Sequence, residues 1–192
     1  MTRKITCDES HVYRVDGQIK PGVTTVLQAA GLIDTTWFSD DAALRGTYVH
    51  RAVELYHTAG LDMDSLDSII RPYFEAYLDF LTKSCFRVAL VERPLWCQTY
   101  DYCGRPDLVG WLNDTLVLLD IKTGAPQKWA GPQTAGYCQL VGSMVDGYQI
   151  TQRVALQLSS NGKWKLVPFN SRNDLPVFLA ALTVWNFKNG RL

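Results

Sequence analysis

A chain of 192 residues, 47% hydrophobic and 20% charged, can bury a substantial core and has the balance of an ordinary globular domain. Nineteen Lys and Arg against nineteen Asp and Glu leave no net charge, which excludes an overall basic nucleic-acid binder but not a local basic groove. No apolar run approaches the roughly 20 residues of a membrane-spanning helix, and the start, MTRKITCDESHVYRV, turns polar too early for a secretory signal, so a cytoplasmic protein without a membrane partner is expected.

His11 to Ile19 reads as a small hairpin turning at Asp16-Gly17, followed by a short helix from Val23 to about Ala30 that Gly31 closes. Ser39 suits the N-cap of a second helix, with Asp40 and Asp41 in its first turn. That helix is predicted to run to about His57, with Leu44, Tyr48, Val49, Ala52, Val53 and Tyr56 as its apolar face. A third helix carries Ile70, Tyr73, Phe74, Tyr77, Leu78 and Leu81 in a second stripe.

The period then changes. Arg87 to Trp96, Gly104 to Leu112 and Leu116 to Lys122 are rich in Val, Leu and Trp, and turn residues divide them at Asp101 and Asn113-Asp114. They predict a three-stranded antiparallel meander. Pro132 fits the first turn of a helix reaching about Asp146. Arg153 to Leu158 and Trp164 to Pro168 form a hairpin around Asn161-Gly162, and an amphipathic helix from Pro176 to about Lys188 ends at Gly190. No repeat or linker interrupts this order, so one mixed α/β domain over 1–192 is expected, with an N-terminal piece at 1–35 and a core at 36–192.

Five cysteines (Cys7, Cys85, Cys97, Cys103 and Cys138) are an odd number, which favours free thiols over a disulfide framework. Cys97 and Cys103 stand six apart across an expected hairpin, a poor match to zinc-ligand spacing.

The chemistry-bearing residues gather in the meander. Asp107 is placed within the middle strand, while Asp120 and Lys122 end the next one and must share a face because strand side chains alternate. Antiparallel pairing would bring Asp107 to that face. Asp-x-Lys is common at solvated strand ends, but here the aspartate follows the apolar run Leu-Val-Leu-Leu, where an unpaired charge is costly. Two carboxylates and an ammonium suit phosphodiester hydrolysis: hard oxygen ligands hold Mg²⁺, which polarises the phosphoryl group, and the lysine orients water and offsets developing charge. On the second helix His50, Glu54 and His57 fall at i, i+4 and i+7 on one face, and Gln133 and Tyr137 fall at i, i+4 on the helix after the active strands. His57 reads as a solvated position; His50 has the side chain of a common metal ligand. Arg45, Arg105, Lys128 and Trp129 are candidates for neutralising phosphates and stacking on a base, and Glu92 for the site or for pairing with a nearby cation.

Pro106-Asp107 followed by Asp120-Ile121-Lys122 resembles the signature of the PD-(D/E)XK nuclease superfamily. Gln133-Thr-Ala-Gly-Tyr137 looks like the Gln-x-x-x-Tyr motif of its RecB-type and phage exonuclease branch, and Gly46-Thr-Tyr-Val-His50-Arg-Ala-Val-Glu54 is similar to that branch's first helical motif. These motifs span positions 46 to 137 in the family's order. The resemblance implies a restriction-endonuclease-like core: a mixed central sheet with the antiparallel meander, flanked by helices. It implies Mg²⁺, with Mn²⁺ able to substitute, held by His50, Asp107, Asp120 and the backbone carbonyl of Ile121. Lys122, Gln133 and Tyr137 join Asp107 and Asp120 in catalysis, with Glu54 and Glu92 as accessory residues. No cysteine set follows Cys138, so no iron–sulfur cluster is expected. The implied activity is hydrolysis of DNA, foremost by an exonuclease processing ends in phage-type recombination or replication, in the host cytoplasm if phage-encoded. An endonuclease of the same superfamily and a non-catalytic DNA-end-binding module remain alternatives. Polarity, strand preference, the number of metals, homo-oligomerisation and any recombination or replication partner protein stay open.

Overall fold

The computed structural model describes residues 3–34, 39–58, 60–145 and 147–191. Three short strands come first: β1 (Ile5–Cys7), β2 (Tyr13–Val15) and β3 (Gln18–Lys20) form an antiparallel sheet. The β2–β3 turn has positive φ at both Asp16 (48°) and Gly17 (84°), the backbone of the tight hairpin that Asp-Gly favours. Helix α1 (Val23–Ala29) follows and gives way to Gly31 at φ 72°. The Ser39 side chain accepts from the Ala42 N–H at 3.2 Å and caps α2 (Asp40–His57); α3 (Arg71–Ser84) comes next.

The central sheet has five strands in the order β10-β9-β8-β7-β4: Trp164–Pro168, Gln152–Leu158, Thr115–Lys122, Leu108–Leu112 and Arg87–Val91. Pairing is antiparallel except between β8 and β9, which run parallel and are joined through α4 (Ala130–Met144). Helix α5 (Asp174–Lys188) closes the chain. The expected mixed sheet with its antiparallel meander is therefore present as β4-β7-β8. The part of α4 expected to reach Asp146 and the boundary at 35/36 fall outside the described residues.

Two segments differ from expectation. Arg87 to Trp96 breaks into β4 and a separate β5 (Leu95–Cys97), and Gly104 to Leu112 breaks so that β6 (Tyr102–Gly104) pairs with β5 away from the main sheet. Pro94 and Pro106 sit at the breaks, where a missing N–H cannot join a ladder. Asp107 consequently lies in the bend just before β7 and not inside the strand. The second difference is on α2, where Val49, Ala52 and Val53 are buried while Leu44 and Tyr48 are about half exposed, at 52% and 53%. The apolar stripe is narrower than the residue types suggest because α2 meets its neighbours along one edge.

The alternation of β8 builds two cores. Val117, Leu119 and Ile121 face α2 and α3, against Val53, Phe74, Tyr77 and Phe80. Leu116 and Leu118 face α1, α4 and α5, with Leu27, Leu140 and Phe178. Each buried leucine contributes roughly 1.5–3 kcal/mol, so the strand that carries Asp120 is among the most firmly held in the protein. Among the described residues no helix is long and apolar enough to cross a membrane.

The N-terminal sheet is pinned to the β5–β6 hairpin. Tyr13, Val15, Trp96 and Cys103 form a third small core, Cys103 N–H donates to the Pro21 carbonyl at 2.8 Å, and Lys20 pairs with Asp101 at 2.8 Å. All five cysteines are free thiols.

Gly110 marks the tightest point of the sheet. A Cβ there would stand 2.4 Å from the Arg87 carbonyl and 2.5 Å from the Phe86 ring. Gly110→Ala should destabilise the fold by about 1–3 kcal/mol, as overpacking does. Thermal denaturation should show a Tm lowered by several degrees; an unchanged Tm would mean that β4 yields freely at this point.

Candidate active site

The register of three strands lines up three acids. One step beyond the pair Leu108↔Leu119, Asp107 stands opposite Asp120. A bulge between Val88 and Leu90 shifts β4 by one residue, so that the next step after Val91↔Leu108 sets Glu92, and not Val91, opposite Asp107. The Glu92 N–H donates to the Asp107 carbonyl at 2.9 Å, and Glu92 adopts the left-handed φ of 44°, a costly conformation that the surrounding structure imposes. Glu92, Asp107 and Asp120 are all buried.

His50 reaches this row from α2. Its Nδ1 lies 3.3 Å from Glu92 Oε1 and 3.4 Å from Asp107 Oδ1, and its Nε2 lies 3.1 Å from the Ile121 carbonyl. Both ring nitrogens thus face acceptors, which a doubly protonated imidazolium satisfies. Burial disfavours that charge, but Asp107 and then Glu92 overcome it and hold the His50 pKa well above its usual value. Asp107 Oδ2 accepts from the Ile121 N–H at 2.6 Å. Burial would raise the Asp107 pKa, yet the His50 and Lys122 charges and this backbone bond bring it below the ordinary value. Glu92 is pushed up by burial and by Asp107, against His50 and Arg105.

Asp120 is the strained member. Lys122 Nζ lies 2.7 Å from its Oδ2 but off the direction of a hydrogen bond, which leaves that buried oxygen without a hydrogen-bond partner. Burial pushes its pKa up to about 6, Lys122 opposes this, and the Asp107 charge adds to it. Lys122 in turn donates to Gln133 Oε1 at 3.3 Å and lies 5.1 Å from the centre of the Trp129 ring, where cation–π attraction holds it. Gln133 Nε2 is 3.4 Å from the Tyr137 hydroxyl and 3.4 Å from Thr24 Oγ1. Burial raises the Tyr137 pKa, keeping the phenol protonated.

His50, Glu92 and Asp107 offer ligand atoms that all lie within 4.8 Å of one another, a group able to hold a metal ion. Two carboxylates and an imidazole form a mostly hard donor set, while the Ile121 carbonyl engages the other ring nitrogen; the Asp120 oxygen nearby, paired with the Lys122 ammonium but without a hydrogen bond, is a further acceptor for a cation. These residues fit a divalent metal.

The acids lie in a cleft of about 940 Å³ that also takes in Arg105, Gln133, Tyr137, Glu54 and the turn Asp8–His11. Arg105 is bound to Glu92 at 2.8 Å and Glu54 to Arg51 at 2.6 Å. Trp129 does not line the cleft; its ring lies under Lys122. Arg45 is set over Tyr73 at 5.3 Å and Lys128 is exposed; neither is among the residues lining the cleft. His57 bonds to the Tyr77 hydroxyl at 2.5 Å, a structural contact. Sequence reasoning missed Thr24, which anchors Gln133, and His11, which lines the cleft from the β1–β2 turn. Neither carries a local signal: a threonine in a first helical turn and a histidine in a loop are unremarkable in themselves.

The fold is shared with a solved protein described as a proposed exonuclease from Eubacterium rectale, at a TM-score of 0.56 and 13% identity over 90% of this chain and 82% of that one. An alkaline exonuclease from Laribacter hongkongensis aligns over 90% of this chain and 92% of its own at 15% identity and a TM-score of 0.36. Its complex with dAMP aligns at 15% identity, 90% and 94% coverage and a TM-score of 0.31. At 13% identity the first match shows a common fold. No protein-family model and no curated protein matches the chain.

The raised Asp120 pKa has a consequence for stability. Between about pH 4 and 6 the folded protein keeps a proton that the unfolded chain releases, so stability falls as pH rises through that window and stays lower above it. Asp120→Asn should therefore raise the Tm of the metal-free protein at pH 8 by several degrees, a gain that shrinks as pH is lowered toward 5. A Tm at pH 8 equal to or below that of the parent would contradict this.

Proposed function

We propose that this protein is a divalent-metal-dependent nuclease that hydrolyses phosphodiester bonds in DNA, with Mg²⁺ as its metal and Mn²⁺ able to replace it. The observation that carries this reading is the convergence of His50, Glu92 and Asp107 at the end of the sheet, beside the Asp120–Lys122 pair. Bound there, the metal would polarise a phosphoryl oxygen and acidify an attacking water.

The protein's own groups supply the rest. Asp107, held by the Ile121 N–H, offers its other oxygen toward the cleft side of the cluster, and Asp120 has an oxygen with no hydrogen bond to lose. Lys122, kept in place by Asp120, Gln133 and the Trp129 ring, sets an ammonium where it can orient water and offset the negative charge that develops on phosphorus oxygens. Gln133 and the protonated Tyr137 present donors for a phosphate or base edge. The Glu92–Arg105 ion pair helps hold the wall of the site in place as charge builds. We assign the whole chain to one nuclease domain, since the N-terminal sheet and α1 supply part of the cleft.

The match to the Eubacterium rectale fold and the order of the motifs favour an exonuclease that processes DNA ends in recombination or replication. Digestion of linear against covalently closed circular DNA tests this: degradation of the linear form alone is expected, and equal cutting of circles would make the enzyme an endonuclease.

EDTA should abolish hydrolysis and Mg²⁺ or Mn²⁺ should restore it; full cleavage in EDTA would remove the metal from the reading. Asp107→Ala and Asp120→Ala should lose activity while remaining folded. Lys122→Ala should slow turnover by about 10²–10³-fold, the range for deleting one stabilising donor, and still bind Mn²⁺ by calorimetry.

His50 gives the pH dependence. With its pKa raised it is protonated at pH 7, so a cation that binds the ring must displace a proton, and affinity should rise with pH. Titration with Mn²⁺ at pH 7 in buffers of different ionisation heat should show release of about one proton. Release that is unchanged in His50→Ala would place the metal elsewhere.

A further inference from the structure

We infer that the cleft takes a single DNA strand, an unpaired end or frayed strand, and excludes the duplex. This rests on the nuclease reading above and adds the form of the substrate.

The charge lining the cleft is the first ground. Six Asp or Glu residues line it against three Lys or Arg. Each of these three is already tied to one of those acids, Arg51 to Glu54 at 2.6 Å, Arg105 to Glu92 at 2.8 Å and Lys122 to Asp120 at 2.7 Å, and protonated His50 lies against Glu92 and Asp107. Duplex DNA carries one negative charge per roughly 1.7 Å of axis, and proteins that grip it neutralise several phosphates with free Lys and Arg. Among the described residues this cleft offers no such row.

The second ground is size and rigidity. A volume of about 940 Å³ is that of a large small-molecule site. It has room for about two or three nucleotides and none for a paired helix. The wall formed by the N-terminal sheet is tied to the rest of the domain. It is fastened by the Cys103 N–H to Pro21 bond, the Lys20–Asp101 pair and an Arg191 bond to the Ile19 carbonyl at 3.0 Å.

What the cleft does offer suits unpaired bases. Thr24, Thr25 and Gln28 on α1 and Thr47 on α2 line it with uncharged donors and acceptors, and Tyr48 lines it while 53% exposed. An aromatic face open at a cleft edge stacks on a base only when that base has left the helix. Tyr48 was expected in the core stripe of α2; its place at the cleft gives an exposed aromatic a use.

The test compares one labelled oligonucleotide as a single strand and as a blunt duplex, with Mg²⁺. We expect kcat/KM at least about tenfold higher for the single strand. Raising salt from 50 to 200 mM should cost about tenfold, as two or three phosphate contacts would, and not the 10³–10⁵ of a duplex-gripping surface. Tyr48→Ala should raise KM about tenfold with kcat retained, in the range of one lost stacking contact, and Tyr48→Phe should restore it. Binding of both forms to Lys122→Ala with Mn²⁺, followed by fluorescence anisotropy, separates the two readings. Blunt duplex cut as fast as the single strand, or a thousandfold salt loss, overturns the single-strand inference and leaves the nuclease. Preferential binding of the single strand without any hydrolysis by the parent protein leaves the inference and overturns the nuclease. Neither bound nor cut, both fall.

Discussion

Three carboxylates at the end of adjacent strands repel one another, and burying them removes the water that would screen the repulsion. The row of Glu92, Asp107 and Asp120 is tolerated because cations reach it from three directions: His50 from α2, Arg105 from the loop before β7, and Lys122 from β8 itself. The compensation is incomplete at Asp120, whose pKa rises to about 6 and one of whose oxygens has no hydrogen bond. A site that holds acids at some expense to its own stability is ready to gain from a cation.

Such a row needs a rigid support. The hydrophobic strand β8 lies between two cores, so its carboxyl end is fixed from both faces while only the last residues meet the cleft. Parallel pairing of β8 with β9 requires a crossover, and the crossover helix α4 returns Gln133 and Tyr137 to the same sheet end. The acid–lysine pair and the Gln133–Tyr137 pair therefore come from elements whose places are set by burial. The cleft opens outside the ends of the strands, where open α/β sheets generally place their ligands.

The N-terminal sheet shows how a small appendage alters what a core can accept. Three strands of three residues each bury little by themselves and depend on Tyr13, Trp96 and Cys103 and on the ion pair Lys20–Asp101 for their place. Docked there, they give the acidic floor an opposite side, in a cleft whose lining Lys and Arg are each paired with an acid.

Much of this was legible in the residues. Period-2 and period-3.6 patterns located the helices and the meander, Asp16-Gly17 and Asn161-Gly162 located hairpins, and Asp120-Ile121-Lys122 after four apolar residues marked a buried acid beside a lysine. These are local features, decided by backbone sterics, side-chain alternation and burial within a few residues. The bulge at Ala89 is different: it selects Glu92 over Val91 as the neighbour of Asp107, and a one-residue slip leaves no mark in composition or pattern. The break at Pro106 moved Asp107 out of the strand, and the edge-on packing of α2 turned Tyr48 toward the cleft and Arg45 away over Tyr73. Sequence alone determined the kinds of elements and the chemical character of the acid–lysine pair, because each depends on near neighbours along the chain. Only the tertiary structure decided which acids meet, what His50 touches and how wide the cleft is, because those depend on strand register and on helices packing across distances that no local pattern encodes.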